Sequence, residues 1–143
     1  MEPSHVLVPL DGSPLAEKAL SHALATFDCR TTVLNVMTPI DAGMSEGGIL
    51  ELSAEREASG RERAKTLVEN ARTTAAAEDR TVETAVESGD PAEKILAYVA
   101  EHDVDHVVMG GHGGDAGSLA RRLLGTVATE VVGDAPVTVT VVR

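Results

Sequence analysis

Aromatic residues are almost missing from this chain of 143 residues: one Phe, one Tyr and no Trp. Its core must therefore be built from Val, Leu, Ile and Ala. No run approaches the roughly 20 consecutive apolar residues of a membrane span, and the opening MEPSHVLVPL lacks the basic region and apolar length of a secretory signal. A cytoplasmic protein is expected, and the single Cys29 fits a reducing compartment because it has no internal partner for a disulfide. Lysine is scarce as well. Only Lys18, Lys65 and Lys94 occur, and 23 acidic against 12 basic residues leave a formal net charge of −11. Such a chain repels nucleic acid and has no basic stripe interleaved with aromatics to overcome the repulsion. Acidity with little lysine is also a habit of proteins from high-salt cytoplasm. What the sequence does contain, 43% hydrophobic and 24% charged residues, is globular, and the length suits one domain spanning 1–143.

The most informative stretch runs from Val104 to Val132. His106 to Met109 is a β-branched run suited to a buried strand, and four glycines between Gly110 and Gly114 end it. An amphipathic helix follows. Glycine lets backbone N–H groups approach a ligand without Cβ interference, and a helix N-terminus carries partial positive charge, so strand, loop and helix together suit a phosphate. A P-loop is excluded because its lysine is missing: no Lys follows Lys94. Gly111, Gly113 and Ala116 satisfy the permissive dinucleotide pattern, but that pattern belongs on a first βα turn, and only one strand remains before Arg143.

Upstream, His5 to Leu10 reads as a strand ending at Asp11, Gly12 and Ser13. Pro14 then opens a helix whose apolar face is Ala16, Ala19, Leu20, Ala23, Leu24 and Phe27, with Ser13 as its cap. Thr31 to Met37 is a second strand, and Ile40 to Leu52 a surface loop. A helix is expected from Ser53 to Ala77 with Ala64, Leu67, Val68, Ala71 and Ala75 inward, then a strand from Thr81 to Val86. Pro91 begins a third helix with Ala92, Ile95, Leu96 and Val99 inward, and Val137 to Val142 is the last strand. His102 and His106 have metal-like spacing, but they straddle a helix end and a strand start and would not share a face. Strands alternating with helices predict a three-layer α/β domain, a twisted parallel sheet covered on both faces through right-handed crossovers.

Two motifs together resemble one family. Met109, Gly110, His112, Gly113, then Leu123, Leu124, Gly125, Thr126, Val127 and Ala128 closely resemble the nucleotide-binding branch of the universal stress proteins, and Val8-Pro9-Leu10-Asp11-Gly12-Ser13 resembles that family's first loop. The resemblance implies a five-stranded Rossmann-like sheet in the order 3-2-1-4-5, with strands 1 and 4 flanking the crevice where ligands bind. It implies adenine-nucleotide binding, ATP, whose phosphates Mg²⁺ could join, in a stress-response or regulatory protein. Pro9, Leu10, Asp11, Val36 and Met109 would bound the nucleoside. Gly110, His112, Gly113, Gly125, Thr126 and Val127 would form the phosphate and ribose side. One departure stands out: the family writes its motif G-2x-G-9x-G-[ST], whereas here Gly113 and Gly125 enclose eleven residues, Gly114 to Leu124. The insert carries Asp115, a negative charge beside the proposed anion site. The resemblance also implies a homodimer paired through the final strand, 137–142. The competing expectation is a family member that binds no nucleotide and serves as a dimeric protein-interaction scaffold. Catalysis is not expected beyond slow ATP hydrolysis, since nothing but Arg121 and Arg122 offers a transition-state cation beside the glycines.

Overall fold

The computed structural model describes residues 2–38, 50–111 and 125–143. Its elements alternate as the hydrophobic periods require: β1 His5–Pro9, α1 Pro14–Thr26, β2 Arg30–Met37, α2 Leu50–Ala76, β3 Glu83–Ser88, α3 Pro91–Glu101, β4 His106–Gly110, α4 Thr126–Asp134 and β5 Thr138–Val142. The strands form one sheet in the order β3-β2-β1-β4-β5, and every pairing is parallel.

Alternation along the strands divides the core in two. Val6, Val8, Val33 and Val108 face α1 and α2, meeting Ala16, Ala19, Leu20, Val68 and Ala71. Leu7, Leu34, Val107 and Met109 face α3 and α4, meeting Ile95, Val99, Ala128 and Val131. The small side chains of α1 let that helix lie close on the sheet, which compensates for the missing aromatics through tight packing. Two expected inward residues are displaced: Leu96 is only half-buried while Tyr98 takes the core position, and Leu67 leans over Gly12 instead.

Two boundaries differ from expectation. β3 begins at Glu83, two residues late, because pairing with β2 starts at Thr32 opposite Glu83. Thr81 and Val82, better strand formers, precede the ladder beside Arg80. That guanidinium donates to the carbonyls of Leu24, Phe27 and Cys29, supplying the positive charge that the last turn of α1 lacks. α2 starts at Leu50, so the end of the expected Ile40–Leu52 loop is helical.

Polar groups close the amino edge of the sheet, opposite the strand C-termini. The Asp105 carboxylate accepts from the Ser4 and His5 N–H groups and from the Ser4 hydroxyl, at 2.8–3.2 Å. Burial pushes this carboxyl up, but those donors outweigh it and hold it below its ordinary range. Glu83 is likewise held down, mainly by the Arg30 guanidinium at 2.8 Å. His106 is lowered by burial, with His22 adding to the effect and Asp105 opposing it. The expected metal-like pair is split: the His102 ring stacks on Tyr98 at 3.8 Å, whereas His106 Nε2 meets the Thr140 hydroxyl at 2.8 Å. In each of these three groups the unfolded chain binds the proton more readily, so their contribution is full above the ordinary value of each group and is lost on acidification. In salt high enough to screen the acidic surface, Tm should fall first through the imidazole range and again through the carboxylate range. Asp105→Asn should lower Tm at pH 7 by several degrees and flatten the second fall; an unchanged profile in thermal melts would contradict this assignment.

Candidate functional site

Every strand of a parallel sheet points its carboxyl end the same way, and here those ends open into a cleft of about 280 Å³, near the lower limit of about 300–1,000 Å³ for small-molecule sites. It lies where strand order reverses, between β1 and β4.

The β1 side is held by three local devices. Leu10 N–H still donates to Leu34 O at 2.9 Å, so the chain leaves the sheet only after Leu10. Gly12 then takes φ +87°, a conformation that side chains disfavour. The Asp11 carboxylate accepts from Ser13 N–H at 2.9 Å, and the buried Ser13 hydroxyl caps α1 by accepting from Ala16 N–H at 3.2 Å. Asp11 is thus a turn-former as well as an exposed acceptor at the cleft wall. Sequence reasoning missed the next residue across. The buried Asn35 amide donates to Leu10 O at 2.7 Å, tying β2 to the turn that presents Asp11. A polar residue at an inward position of a buried strand was the available signal.

On the β4 side, Gly110 and Gly111 differ in their constraints. A Cβ on Gly110 would stand 2.9 Å from Leu15 C and 3.0 Å from Ala16 N, so β4 packs directly on the α1 backbone. Its glycine is required by the fold whatever occupies the cleft. Gly111 N–H donates to Val142 O at 2.8 Å, and Gly111 O accepts from Gly125 N–H. The glycine arm therefore leaves and returns at hydrogen-bonding distance, and its additional length lies within residues 112–124. Gly125 is the N-cap of α4, with φ −66° and ψ 164° and no side-chain cap bond. Thr126, a residue type that often caps helices, is instead the first residue of α4. The first helical bond inside α4 is Thr129 N–H to Gly125 O, which leaves the N–H groups of Thr126, Val127 and Ala128 without partners in the first turn. All three residues line the cleft.

Of the residues singled out from sequence, Pro9, Leu10, Asp11, Val36, Met109, Gly110, Gly125, Thr126 and Val127 line this one cleft. His112 and Gly113 lie outside the described residues, as do Asp115, Arg121 and Arg122. Packing adds walls from outside these two motifs: Gly60, Arg63 and Ala64 from α2, and Pro91 and Ile95 from α3. The lining is largely apolar, with Asp11, Ser13, Asn35, Thr38, Arg63 and Thr126 as polar points and a helix N-terminus at one end. That arrangement can bury a flat ring and accept an anion at the α4 end. Among the described residues no cluster of three or more His, Cys, Asp or Glu is positioned to hold a metal, and no helix is long and apolar enough to cross a membrane.

An all-parallel sheet in this order, with its crevice beyond the strand ends, defines a Rossmann-like α/β domain. Within that class the chain belongs to the universal stress protein family, whose model matches residues 3–143. It is similar to the universal stress protein UspA from Lactobacillus plantarum, with 23% identity, a TM-score of 0.86 and coverage of 100% of this chain and 99% of that one. It is also similar to a universal stress protein family protein from Arabidopsis thaliana solved with AMP bound, at 19% identity and a TM-score of 0.70, covering 98% and 91% of the two chains. A third is the universal stress protein from Archaeoglobus fulgidus in complex with dAMP, at 19% identity and a TM-score of 0.66, covering 100% of each. No curated protein matches the sequence.

Proposed function

We propose that this protein binds an adenine nucleotide, ATP, in the cleft between β1 and β4, as a stress-related or regulatory binding protein. The observation that carries the reading is the Gly111–Gly125 hydrogen bond. It returns the longer arm to the start of α4, whose first-turn N–H groups have no partner within the helix and whose residues line the cleft that Asp11 borders. Pro9, Leu10, Asp11, Val36 and Met109 bound the adenosine in this reading, while Gly110, Gly125, Thr126 and Val127 hold the phosphates, with His112 and Gly113 assigned to the same side. The AMP and dAMP carried by the Arabidopsis and Archaeoglobus proteins support an adenine ligand. Mg²⁺ would come with the phosphates and offset their charge, since among the described residues no cluster of carboxylates is positioned to hold it.

Binding without fast turnover is part of this reading. Among the described residues the wall holds no His, Cys, Glu or Lys, and its one carboxylate, Asp11, already accepts from Ser13 N–H in the turn, whereas turnover at ordinary enzymatic rates needs a base positioned on the attacking water. Mass spectrometry of ligand released by denaturing the purified protein is the test. An adenine nucleotide is expected, whereas release of none, with no uptake of added ATP, would favour the scaffold reading.

A homodimer belongs to the same proposal. β5 is an edge of the sheet, hydrogen-bonded to β4 alone, and an open edge tends to recruit a partner strand. Light scattering at micromolar concentration, in salt that screens the acidic surface, should give the dimer mass; a monomer would contradict it.

A further inference from the structure

The described wall of the cleft contains one carboxylate, Asp11, and one cation, Arg63. Arg63 comes from α2, a helix that carries no recognisable motif. One turn of that helix, Gly60, Arg63 and Ala64, faces the cleft. Glycine inside a helix costs about 1 kcal/mol relative to alanine, yet Gly60 occupies this face of a 27-residue helix. With Gly60 and the buried Ala64 on either side, the only long side chain on this turn of the wall is a guanidinium. One turn further along, Leu67 rests over Gly12, so Arg63 stands beside the β1 turn, exposed at the cleft wall.

Charge decides what such a residue is for. An uncharged nucleoside enters an apolar cleft without electrostatic cost, but a phosphate must approach a protein of net charge −11 and settle in a cleft that Asp11 makes more negative. The α4 N-terminus offers partial charge only. A guanidinium supplies a full one, with a planar fork that pairs two phosphate oxygens at once. We infer that Arg63 is the residue that makes this cleft select a phosphorylated adenine nucleotide over the nucleoside. The inference rests on the adenine-nucleotide reading of the cleft and adds to it a charge contributed from outside the glycine motif. Arg63 already makes an interaction within the fold, and five N–H donors leave capacity for a second acceptor.

Calorimetric titration of AMP and of adenosine into the wild type, Arg63→Gln and Arg63→Lys tests it, with thermal melts to establish that the variants fold. The wild type should bind AMP at least about ten-fold more tightly than adenosine, the scale of one charge-assisted hydrogen bond. Arg63→Gln should lose about ten-fold for AMP while adenosine stays within about two-fold, and Arg63→Lys should recover part of the loss. Equal losses for both ligands would make Arg63 a packing or stacking residue, and no loss for either would remove it from the site; each result overturns the inference while leaving nucleotide binding intact. A wild type that binds neither ligand overturns this inference, and one that also fails to take up ATP overturns the nucleotide reading itself.

Discussion

Gly125→Val should abolish nucleotide binding in a protein that still folds. The backbone at Gly125 has φ −66° and ψ 164°, extended geometry that valine adopts readily. Its N–H can keep donating to Gly111 O, so the closure of the arm survives the substitution. The fold should lose no more than about 1 kcal/mol, the cost of a poorer N-cap residue. Two added methyl groups, however, would stand at the mouth of the first α4 turn, where the phosphates must meet the N–H groups of Thr126 and Val127. A loss of at least about 100-fold is expected, because several charge-assisted hydrogen bonds are displaced together. Thr126→Ala, which removes one hydroxyl from the cleft, should cost about 1 kcal/mol of binding. Calorimetric titration beside thermal melts reads both variants; unchanged ATP affinity in Gly125→Val would remove the proposed phosphate site.

Gly110→Val should fail in the opposite way, through the fold. A Cβ at Gly110 meets backbone atoms of Leu15 and Ala16 at 2.9–3.0 Å, and backbone cannot turn aside as a side chain can. Either β4 or the first turn of α1 must shift, which disturbs the core contacts around Ala16, Val8 and Val108. Overpacking of this kind costs about 1–3 kcal/mol, and valine, pressed against backbone, should lie at the upper end. For a domain this size that lowers Tm by roughly 5–10 °C. Denaturant unfolding of Gly110→Ala and Gly110→Val should show a graded loss, present with or without nucleotide. A Gly110→Val protein as stable as wild type would mean that α1 and β4 are not in direct contact. The two glycines sit in one motif and line one cleft, yet one is required by packing, whereas the other is proposed to leave room for the phosphates.

That difference marks the limit of what the sequence discloses. Periodicity located every strand and helix, because each buried face repeats locally: Ala16, Ala19, Leu20, Ala23 and Leu24 identify α1 before any neighbour is known. The sheet order came with the family resemblance and stands in the structure. What local pattern misses is set by partners distant in sequence. β3 is displaced toward Ser88 because an edge strand is defined by the ladder it joins, and Ser88 alone reads as a turn. Thr126 resembles a cap residue, but Gly111 holds Gly125 and shifts the helix start. Arg63, Asn35 and Ile95 enter the cleft through tertiary packing, and no spacing rule links them to the glycines. Asp11 was legible locally as a helix-start residue; its place on one crevice with Gly110 came with the family's strand order, and both line the cleft.

Backbone amide NMR during titration with ATP tests the central claim most directly, since it reads where a nucleotide sits without relying on any variant. Shifts should be concentrated at the amides of Leu10, Asp11, Val36, Met109, Gly110, Gly125, Thr126 and Val127, with the largest at the first turn of α4. Amides at the opposite edge of the sheet, around Ser4, Arg30 and Asp105, should stay in place. Saturating ATP that leaves Gly125 to Val127 unmoved, or that shifts amides only outside the cleft, would contradict the account.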